Sequence, residues 1–498
     1  MRFTVIGHAC LYVETSGPSI LIDPWLFGSC YWRAWWHHPA RTEPDERFLN
    51  PDLIYLTHHH SDHFHFPSMR RIDQSAEVMV PKFGVDVMAG EVKGLGFDCV
   101  RELGHGEVVE LVPGVRVASY QYGFDDTMFV VQDGDTVLAD MNDCKIRGRA
   151  LAAAMDDFGP VTFMLKTHSW AQSYPVMYEA DDPADLELLS AQTYLDDFIG
   201  TVREVQPRYA VPFANMVAML HPESWELNRH MITPDDVAEA MAAADGVADT
   251  ELVAMGPGDS WSDEAGFVRE GATDWWEGRA EAMTQAAQDL APVFERSDAD
   301  EAARVLDFDV FRAYIDRFLA ELPPFVARLL LKRPVVFAVP GDERPFWVID
   351  GRRGRVWRQA HDPPDRATLI SIAPGVLADA IDKQILHFTH GSMRIRTHLR
   401  PGGVDEDLAF WGLLMIWELG YLPLRRDLSG RFLQATLARR REAYDMVGAL
   451  AGSTGSPLKR LSEGFATPTD GHEPGAADEH RRTDRDGRTD GPGQTVAA

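Results

Sequence analysis

The chain has 498 residues, of which 45% are hydrophobic and 25% are charged, a size that predicts two or three domains. Its 77 acidic residues outnumber 48 basic ones, so the formal net charge is -29. A surface of this sign repels phosphate backbones, and we therefore expect no nucleic-acid partner.

The four cysteines stand far apart and form no Cys-x-x-Cys motif, which argues against a disulfide framework and fits a cytoplasmic protein. The N-terminal segment reads as a strand and lacks the apolar core of a signal peptide. The longest apolar run, around Phe410 and Trp417, is too short to span a bilayer. We therefore expect neither a leader nor a membrane-spanning segment.

The first part of the chain consists of short strand patterns separated by turns. Apolar runs within the first 22 residues predict three strands, and five more such runs lie between residues 77 and 139. Helices are predicted from residue 67 and over residues 185–205, followed by a strand at Tyr209–Phe213. Strands in succession, interrupted by few helices, predict two sheets packed face to face.

The second part of the chain has a different composition. Residues 233–303 are acidic and helical in pattern, and they are expected to form a connecting layer. From residue 310 onward, alternating helix and strand patterns predict a small α+β domain. Beyond residue 456 large apolar residues are almost absent, so this tail cannot offset its ordering entropy and is predicted to be disordered. The predicted division of the chain is 1–260, 261–308, 309–455 and 456–498.

The feature that carries chemistry is a histidine-rich run directly after the predicted strand at residues 51–56. It contains the pattern His-x-His-x-Asp-His at His58, His60, Asp62 and His63. Imidazole nitrogens and a carboxylate are ligands that suit zinc, iron or manganese. A solvated polar loop is the alternative, but four such side chains leaving one buried strand can converge on one point. The run therefore predicts a metal site.

This pattern, near the end of a β-rich segment, resembles that of the metallo-β-lactamase superfamily. Separated stretches are also similar to its CMP-N-acetylneuraminate hydroxylase-like branch, among them Gly7-His8-Ala9-Cys10, Ile22-Asp23-Pro24-Trp25 and Asn142-Asp143-Cys144. The resemblance covers about residues 3–230. It implies an α+β protein whose first domain is an αββα sandwich.

The resemblance also implies two metal ions, with His58 and His60 on one metal and Asp62 and His63 on the other. The members of this branch carry an N-terminal Rieske domain, whose cluster needs paired cysteine and histidine ligands. This chain has no such pairs. If it is an oxygenase, the resemblance implies that electrons come from a separate protein.

In the superfamily a carboxylate from a later strand bridges the two metals. Asp143 is the expected bridge and, with Asp62, an expected catalytic carboxylate, while Asp140 is the alternative bridge. His221 is expected as the last histidine ligand, and His168 is the alternative.

One ligand that many relatives have is missing here. Those relatives place a third histidine on the first metal, just before the strand that corresponds to residues 128–131. Asp126 is expected to take its place, although Asp125 and Asp126 could merely shape a turn. A shell richer in oxygen favours iron or manganese over zinc. His8 and Asp23 are expected to orient ligand imidazoles rather than to bind metal.

The C-terminal segment, about residues 310–402, resembles a sterol-carrier-like domain. Its strand pair around Trp347 and the helix pattern over residues 374–381 carry this likeness. Such folds enclose an apolar tunnel, which would suit an acyl substrate. A dimerisation or lid module is the alternative.

These expectations combine into a non-haem dinuclear-iron monooxygenase that hydroxylates a small molecule, with zinc or manganese as alternative metals. The substrate is expected to be an apolar acyl compound or a nucleotide sugar, and the electron donor a ferredoxin or Rieske-type protein. The alternative is a dinuclear-metal hydrolase of a lactone, ester or phosphodiester.

Overall fold

The computed structural model describes residues 1–40, 44–270, 274–304, 306–423 and 429–445. The strands are Arg2–Gly7 (β1), Cys10–Glu14 (β2), Ser19–Ile22 (β3), Ser29–Cys30 (β4), Trp35–His37 (β5), Leu53–Tyr55 (β6), Glu77–Pro81 (β7), Val100–Leu103 (β8), Val109–Val112 (β9), Val115–Tyr122 (β10), Asp126–Asp133 (β11), Thr136–Asn142 (β12), Phe163–Thr167 (β13), Tyr178–Ala180 (β14), Tyr209–Phe213 (β15), Val217–Met219 (β16), Glu251–Leu252 (β17), Ser260–Ser262 (β18), Gly266–Val268 (β19), Val335–Ala338 (β20), Phe346–Asp350 (β21), Arg355–Gln359 (β22), Thr368–Ile372 (β23) and Ile395–Leu399 (β24).

The α-helices are Phe66–Met69 (α1), Ala89–Gly94 (α2), Gly148–Asp156 (α3), Ala191–Val205 (α4), Pro234–Ala242 (α5), Arg279–Ala303 (α6), Phe308–Glu321 (α7), Pro324–Leu330 (α8), Pro374–Lys383 (α9), Phe388–Gly391 (α10), Val404–Glu418 (α11) and Gly430–Ala438 (α12). None of the helices in the described ranges combines the length and the apolarity needed to cross a bilayer.

Two large sheets form the first half of the molecule. The first has the strand order β19-β18-β1-β2-β3-β6-β7-β8, and the second has the order β17-β15-β13-β12-β11-β10-β9. Their facing sides share one apolar core, in which Tyr55 of the first sheet stacks on Phe129 of the second at 3.7 Å between ring centroids. The sheets therefore pack face to face, as the sequence predicts.

Helices cover the outer side of each sheet. Met69 and Val92, from α1 and α2, pack on the first sheet, and Leu151 and Phe198, from α3 and α4, pack on the second. The central strands are apolar on both faces because both faces are covered. This arrangement confirms the predicted αββα sandwich.

The first sheet continues further along the chain than the sequence predicts. Strand β18 pairs with β1 and β19 pairs with β18, so the boundary predicted at residue 260 falls inside β18. The prediction that residues 233–303 have a helical pattern is wrong between α5 and α6. Three strands of two or three residues lie there, too short for a periodic pattern to reveal.

A third sheet, with the order β14-β24-β23-β20-β21-β22, is the centre of the C-terminal half. Helices α7, α9 and α11 pack on it through a core that includes Phe311, Phe337 and Trp347. Its edge strand β14 comes from the first half of the chain and pairs in parallel with β24, with Tyr178 opposite Thr397. The two halves therefore share a sheet. The predicted disordered tail, residues 456–498, lies outside the described residues.

A buried guanidinium also joins the two halves. Arg394, which precedes β24, donates to both carboxylate oxygens of Glu301 at 2.8 and 2.9 Å and to Glu223 at 2.7 Å. It donates a further hydrogen bond to the backbone oxygen of Trp32. These hydrogen bonds hold the C-terminal half against helix α6 and against the aromatic loop that follows β4.

Candidate metal centre

The histidine-rich run begins where the buried strand β6 ends. Strands β1 and β3 run in the same direction as β6 and end at the same edge of the sheet, where His8 and Asp23 follow them. Both residues have left-handed backbones, with φ of 39° and 45°, as does Asn142 at the end of β12, with φ of 44°. Such angles are uncommon in residues other than glycine and cluster at functional sites.

Two overlapping groups of side chains, all buried except the half-buried Asp143, have the spacing of a metal site. The first contains His58, His63 and Asp143, the second contains His8, Asp62 and His63, and the ligand atoms of each group lie within 4.8 Å of one another. The Nε2 atom of His63 is 3.4 Å from Asp62 Oδ2 and 3.5 Å from Asp143 Oδ2. Asp143 Oδ1 is buried without a hydrogen-bond partner among the described residues. Both groups contain donor atoms that bind zinc, iron or manganese, so together they form a candidate metal site.

The protonation states around the cluster also suit a cation. Burial lowers the pKa of His60 to about 4 and that of His58 well below its usual range, so both imidazoles are neutral at neutral pH. Burial alone would lower the pKa of His63 too, but the carboxylates of Asp62 and Asp23 raise it well above its usual range. The neutral form of an imidazole is the form that binds a metal. The carboxylates that raise the pKa of His63 would equally favour a metal cation at the position that its ring faces.

Asp23 fixes the orientation of His63. Its Oδ2 atom accepts hydrogen bonds from His63 Nδ1 at 2.7 Å, from Thr57 Oγ1 at 2.6 Å and from Asn142 Nδ2 at 2.8 Å. The Thr57 backbone N–H donates to Oδ1 at 2.8 Å. Because Nδ1 is engaged in this way, Nε2 of His63 is left to face Asp62 and Asp143. Hydrogen bonds of this kind orient metal-binding histidines in other proteins.

The carboxylate of Asp62 is held at both oxygens. His8 Nε2 lies 2.9 Å from Oδ2, and the Tyr31 hydroxyl donates to Oδ1 at 2.7 Å. Burial opposes ionisation of Asp62, but the charges and hydrogen bonds of His63 and His8 keep its pKa well below its usual range. Tyr31 belongs to the aromatic loop that follows β4. The structure places it in contact with the cluster.

The two candidates for a bridging carboxylate have different surroundings. Asp143 lines the cavity described below and belongs to the first group of ligand atoms. Asp140 is fully buried, belongs to neither group, and its Oδ2 accepts a hydrogen bond from Asn142 at 3.3 Å. Burial and the charge of Asp23 raise the pKa of Asp140 well above its usual range. The geometry favours Asp143.

Asp126 begins strand β11 and lines the same cavity as Asp143. Burial and the charge of Asp143 raise the pKa of Asp126 to about 6. Asp125 is buried but does not line the cavity, so a role confined to the turn fits Asp125 better than Asp126.

The structure does not bring His221 into the cluster. Strand β16 pairs with β5 and directs the chain towards α6, where His221 Nε2 lies 3.2 Å from Asp298 Oδ1 and its ring packs on Phe294. The structure therefore places His221, expected as the last histidine ligand, outside both groups of potential ligands and outside the cavity lining. His168, the alternative, is fully buried and belongs neither to the two groups nor to the cavity lining.

A cavity of about 320 Å³ opens from the cluster towards the C-terminal half. The first half contributes acidic and aromatic side chains, which include Tyr31, Trp35, Asp62, Asp126 and Asp143. The C-terminal half contributes His387, His390, Leu408, Trp411 and Met415. Lys145 is the one lysine or arginine side chain that lines the cavity in the described part of the chain. The site is therefore built from both halves of the molecule.

The sequence alone does not predict which residues the C-terminal half contributes to this site. The only local signal is the pair His387 and His390, three residues apart, a spacing that places two side chains on one face of a helical turn. Two histidines more than 300 residues from the metal-binding pattern do not indicate their position without the fold.

Residues 2–153 match the model of the β-lactamase superfamily domain. A putative Rieske 2Fe-2S iron-sulfur protein of Mycobacterium tuberculosis is 29% identical over 244 residues, which are 46% of this chain and 46% of that protein. The cytidine monophosphate-N-acetylneuraminic acid hydroxylase of Mus musculus is 24% identical over 248 residues, 45% of this chain and 40% of that protein. The chain thus spans about half the length of the curated relatives it matches.

Among solved structures, CmlA, a diiron β-hydroxylase from Streptomyces venezuelae, is similar with a TM-score of 0.34 and 17% identity, covering 50% of this chain and 52% of that one. The matched family model ends at residue 153 and does not reach the C-terminal half. The resemblance of that half to a sterol-carrier-like domain stays a prediction.

Proposed function

We propose that this chain, whose N-terminal part is a metallo-β-lactamase superfamily domain, is a dinuclear-iron oxygenase that hydroxylates a small molecule. The observation that carries the proposal is the convergence of three carboxylates, Asp62, Asp126 and Asp143, on one cavity beside the histidines. An oxygen-rich set of this kind suits iron or manganese better than zinc. The likeness to a named hydroxylase over almost half of the chain supports the same reaction class.

In this proposal the ligands divide into two sets with one shared residue. His58, His60 and Asp126 would hold one metal, Asp62 and His63 the other, and Asp143 both. When bound, two reduced iron ions supply the capacity to activate O2 for insertion into a C–H bond.

The remaining residues of the site orient the ligands and shield the cavity. Asp23 holds the ring of His63, and Tyr31 and His8 hold the carboxylate of Asp62. Trp35 and Trp411 line the cavity and would exclude water from the reacting groups. A volume of about 320 Å³ suits one small molecule or one arm of a larger one. An apolar acyl compound or a nucleotide sugar remains the proposed substrate class.

A separate ferredoxin or Rieske-type protein is the proposed electron donor. Neither group of potential metal ligands in the described ranges contains a cysteine, and Cys10, Cys30 and Cys144 are buried. The likeness to a protein named for a Rieske cluster supports a donor of that type.

Metal content and spectroscopy test the proposal. Protein purified without oxygen is expected to hold about two iron ions per chain, with an absorption band that bleaches on reduction and returns with O2. His59→Gln is the matched control, because His59 lies within the histidine run but pairs with Glu91 at 2.7 Å and does not line the cavity. This variant is expected to keep both metals.

The opposite result would support the alternative function. Two tightly held zinc ions, with turnover of a lactone, ester or phosphodiester, would replace the oxygenase by a dinuclear-metal hydrolase. In that reaction the metal pair supplies a water of lowered pKa.

A further inference from the structure

One buried histidine of the C-terminal half lines the cavity beside the candidate metal ligands, and one of its two ring nitrogens has no hydrogen-bond partner among the described residues. His387 lies directly before α10, is 7% exposed and lines the cavity together with His60, Asp62 and Asp143. Its Nε2 atom is buried and has no hydrogen-bond partner among the described residues. The next residue, Phe388, packs on the ring of His60 at 5.4 Å between centroids. This segment therefore borders the proposed metal site.

The other ring nitrogen of His387 is held by a carboxylate. His387 Nδ1 lies 2.5 Å from Glu418 Oε2, at the end of α11. Glu418 also accepts hydrogen bonds from the backbone N–H groups of Leu386 and His387, at 2.6 and 2.9 Å, and from the Tyr314 hydroxyl. A carboxylate fixed in this way favours the tautomer with its proton on Nδ1, which leaves the lone pair of Nε2 directed into the cavity.

The pair of Glu418 and His387 reproduces the arrangement of Asp23 and His63 in the first half. In both pairs a buried carboxylate engages Nδ1, and the Nε2 atom is buried without a hydrogen-bond partner among the described residues. Carboxylate and histidine pairs of this type are characteristic of metal ligands. A purely structural ion pair would not require a second buried nitrogen to remain without a partner.

We infer that His387 is the last histidine ligand of the metal pair and that the C-terminal half supplies it. The inference rests on the proposed function in one respect, because both require that the site binds two metal ions. It takes over the role that the sequence assigns to His221, which the structure places beside Asp298. His387 belongs to neither group of atoms within 4.8 Å, so the inference requires its ring to move towards the cluster when the second metal binds.

His390 provides the matched control. It lines the same cavity, but its Nε2 lies 3.0 Å from the Tyr178 hydroxyl, which itself donates to Asp407 at 2.7 Å. The Nε2 atom of His390 is therefore already engaged in a hydrogen bond, unlike that of His387. His387→Gln and His390→Gln thus remove neighbouring cavity imidazoles with different expected effects on metal content.

The experiment measures metal per chain in the full-length protein after loading with excess Fe2+ or Zn2+ and gel filtration. His387→Gln is expected to retain about one metal where the wild type retains two, and His390→Gln is expected to retain two. His387→Gly with added imidazole is expected to recover the second metal. Two metals in His387→Gln would overturn the inference.

A second measurement uses the wild-type protein and does not depend on whether a variant folds. Hydrogen–deuterium exchange at the imidazole C2 position, followed by mass spectrometry, reports on each histidine separately. Metal loading is expected to slow exchange at His387 at least fivefold and to leave His390 within twofold. Unchanged exchange at His387 would reject the assignment.

The outcomes for the wild type separate the two proposals. A wild type that holds two zinc ions, one of them lost in His387→Gln, would support this inference while rejecting the oxygenase. A wild type that holds two iron ions, both kept in His387→Gln, would do the reverse.

Discussion

The Tyr31 hydroxyl donates a hydrogen bond to Asp62 Oδ1 at 2.7 Å, and both side chains are buried. His8 engages the other carboxylate oxygen of Asp62 at 2.9 Å. Tyr31 thus belongs to the group that positions the cluster as well as to the cavity wall. Since the two hydrogen bonds restrict rotation of the carboxylate, each of them contributes to the orientation of a proposed ligand.

Tyr31→Phe tests this contribution. The change removes one hydroxyl and keeps the ring, so we expect the affinity for the metal beside Asp62 to fall about 10- to 100-fold. Competition with a chromophoric chelator measures the affinity. Tyr444→Phe, at a residue that is 62% exposed, is the control and should leave the affinity unchanged. Equal affinities for Tyr31→Phe and the wild type would show that His8 alone orients the carboxylate.

The choice between Asp143 and Asp140 as the bridge can be decided by metal analysis. Asp143→Ala is expected to lose both metals and all activity, because the proposed ligand sets share this residue. Asp140→Asn is expected to keep both metals, because its carboxyl group is buried away from the cavity lining. If Asp143→Ala keeps its metals and Asp140→Asn loses them, the bridge is Asp140.

Arg394 is expected to contribute strongly to the stability of the packed halves. Its side chain is buried between Glu301 and Glu223, so Arg394→Met leaves two carboxylates without their cation. We expect the free energy of unfolding to fall by about 3 kcal/mol. Arg396→Met removes a half-exposed cation 3.7 Å from Glu226 and should cost less than about 1 kcal/mol. Urea titrations compare the two variants, and equal losses would contradict the role given to Arg394.

Asp407 predicts a pH dependence of stability. Burial raises its pKa to about 7, while the Tyr178 hydroxyl donates to its carboxylate. Between about pH 4 and pH 7 the folded chain keeps a proton that the unfolded chain has released. The free energy of unfolding should therefore fall as the pH rises through this window, by about 4 kcal/mol at most. Above pH 7 Asp407 should cause no further change in the free energy of unfolding.

Asp407→Asn should remove this part of the pH dependence, as measured by unfolding at a series of pH values. Asp405→Asn, on the same helical turn, changes a less buried carboxyl group and should keep the slope. An unchanged slope in Asp407→Asn would assign the dependence to other groups.

Local patterns were sufficient to predict much of the fold. The helix predicted over residues 374–381 is α9, Pro374–Lys383, because a proline at its start and an apolar face are both visible in a short window. The histidine run was predicted as a metal site because its residues follow one strand and need no distant partner. His387 could not be predicted, because its position depends on how the C-terminal half packs on the first half.

The same limit explains the errors in the fold. Strand β14 has three residues, and its partner β24 lies more than 200 residues further along the chain. Nothing in such a short segment indicates this partner. The sequence favours His221 as a ligand because it closely follows β15, but the pairing of β16 with β5 takes it towards α6.

The pairing of β14 with β24 has a consequence for the synthesis of the protein. At about 5–20 residues per second, Tyr178 leaves the ribosome about 10–40 s before its partner Thr397 is made. During that interval strand β14 is an unpaired edge, which is a site for aggregation. A chain that stops after α6 would keep this edge permanently, and a separate C-terminal fragment would expose β24. We therefore expect the halves to be recovered as soluble protein only when they are made together.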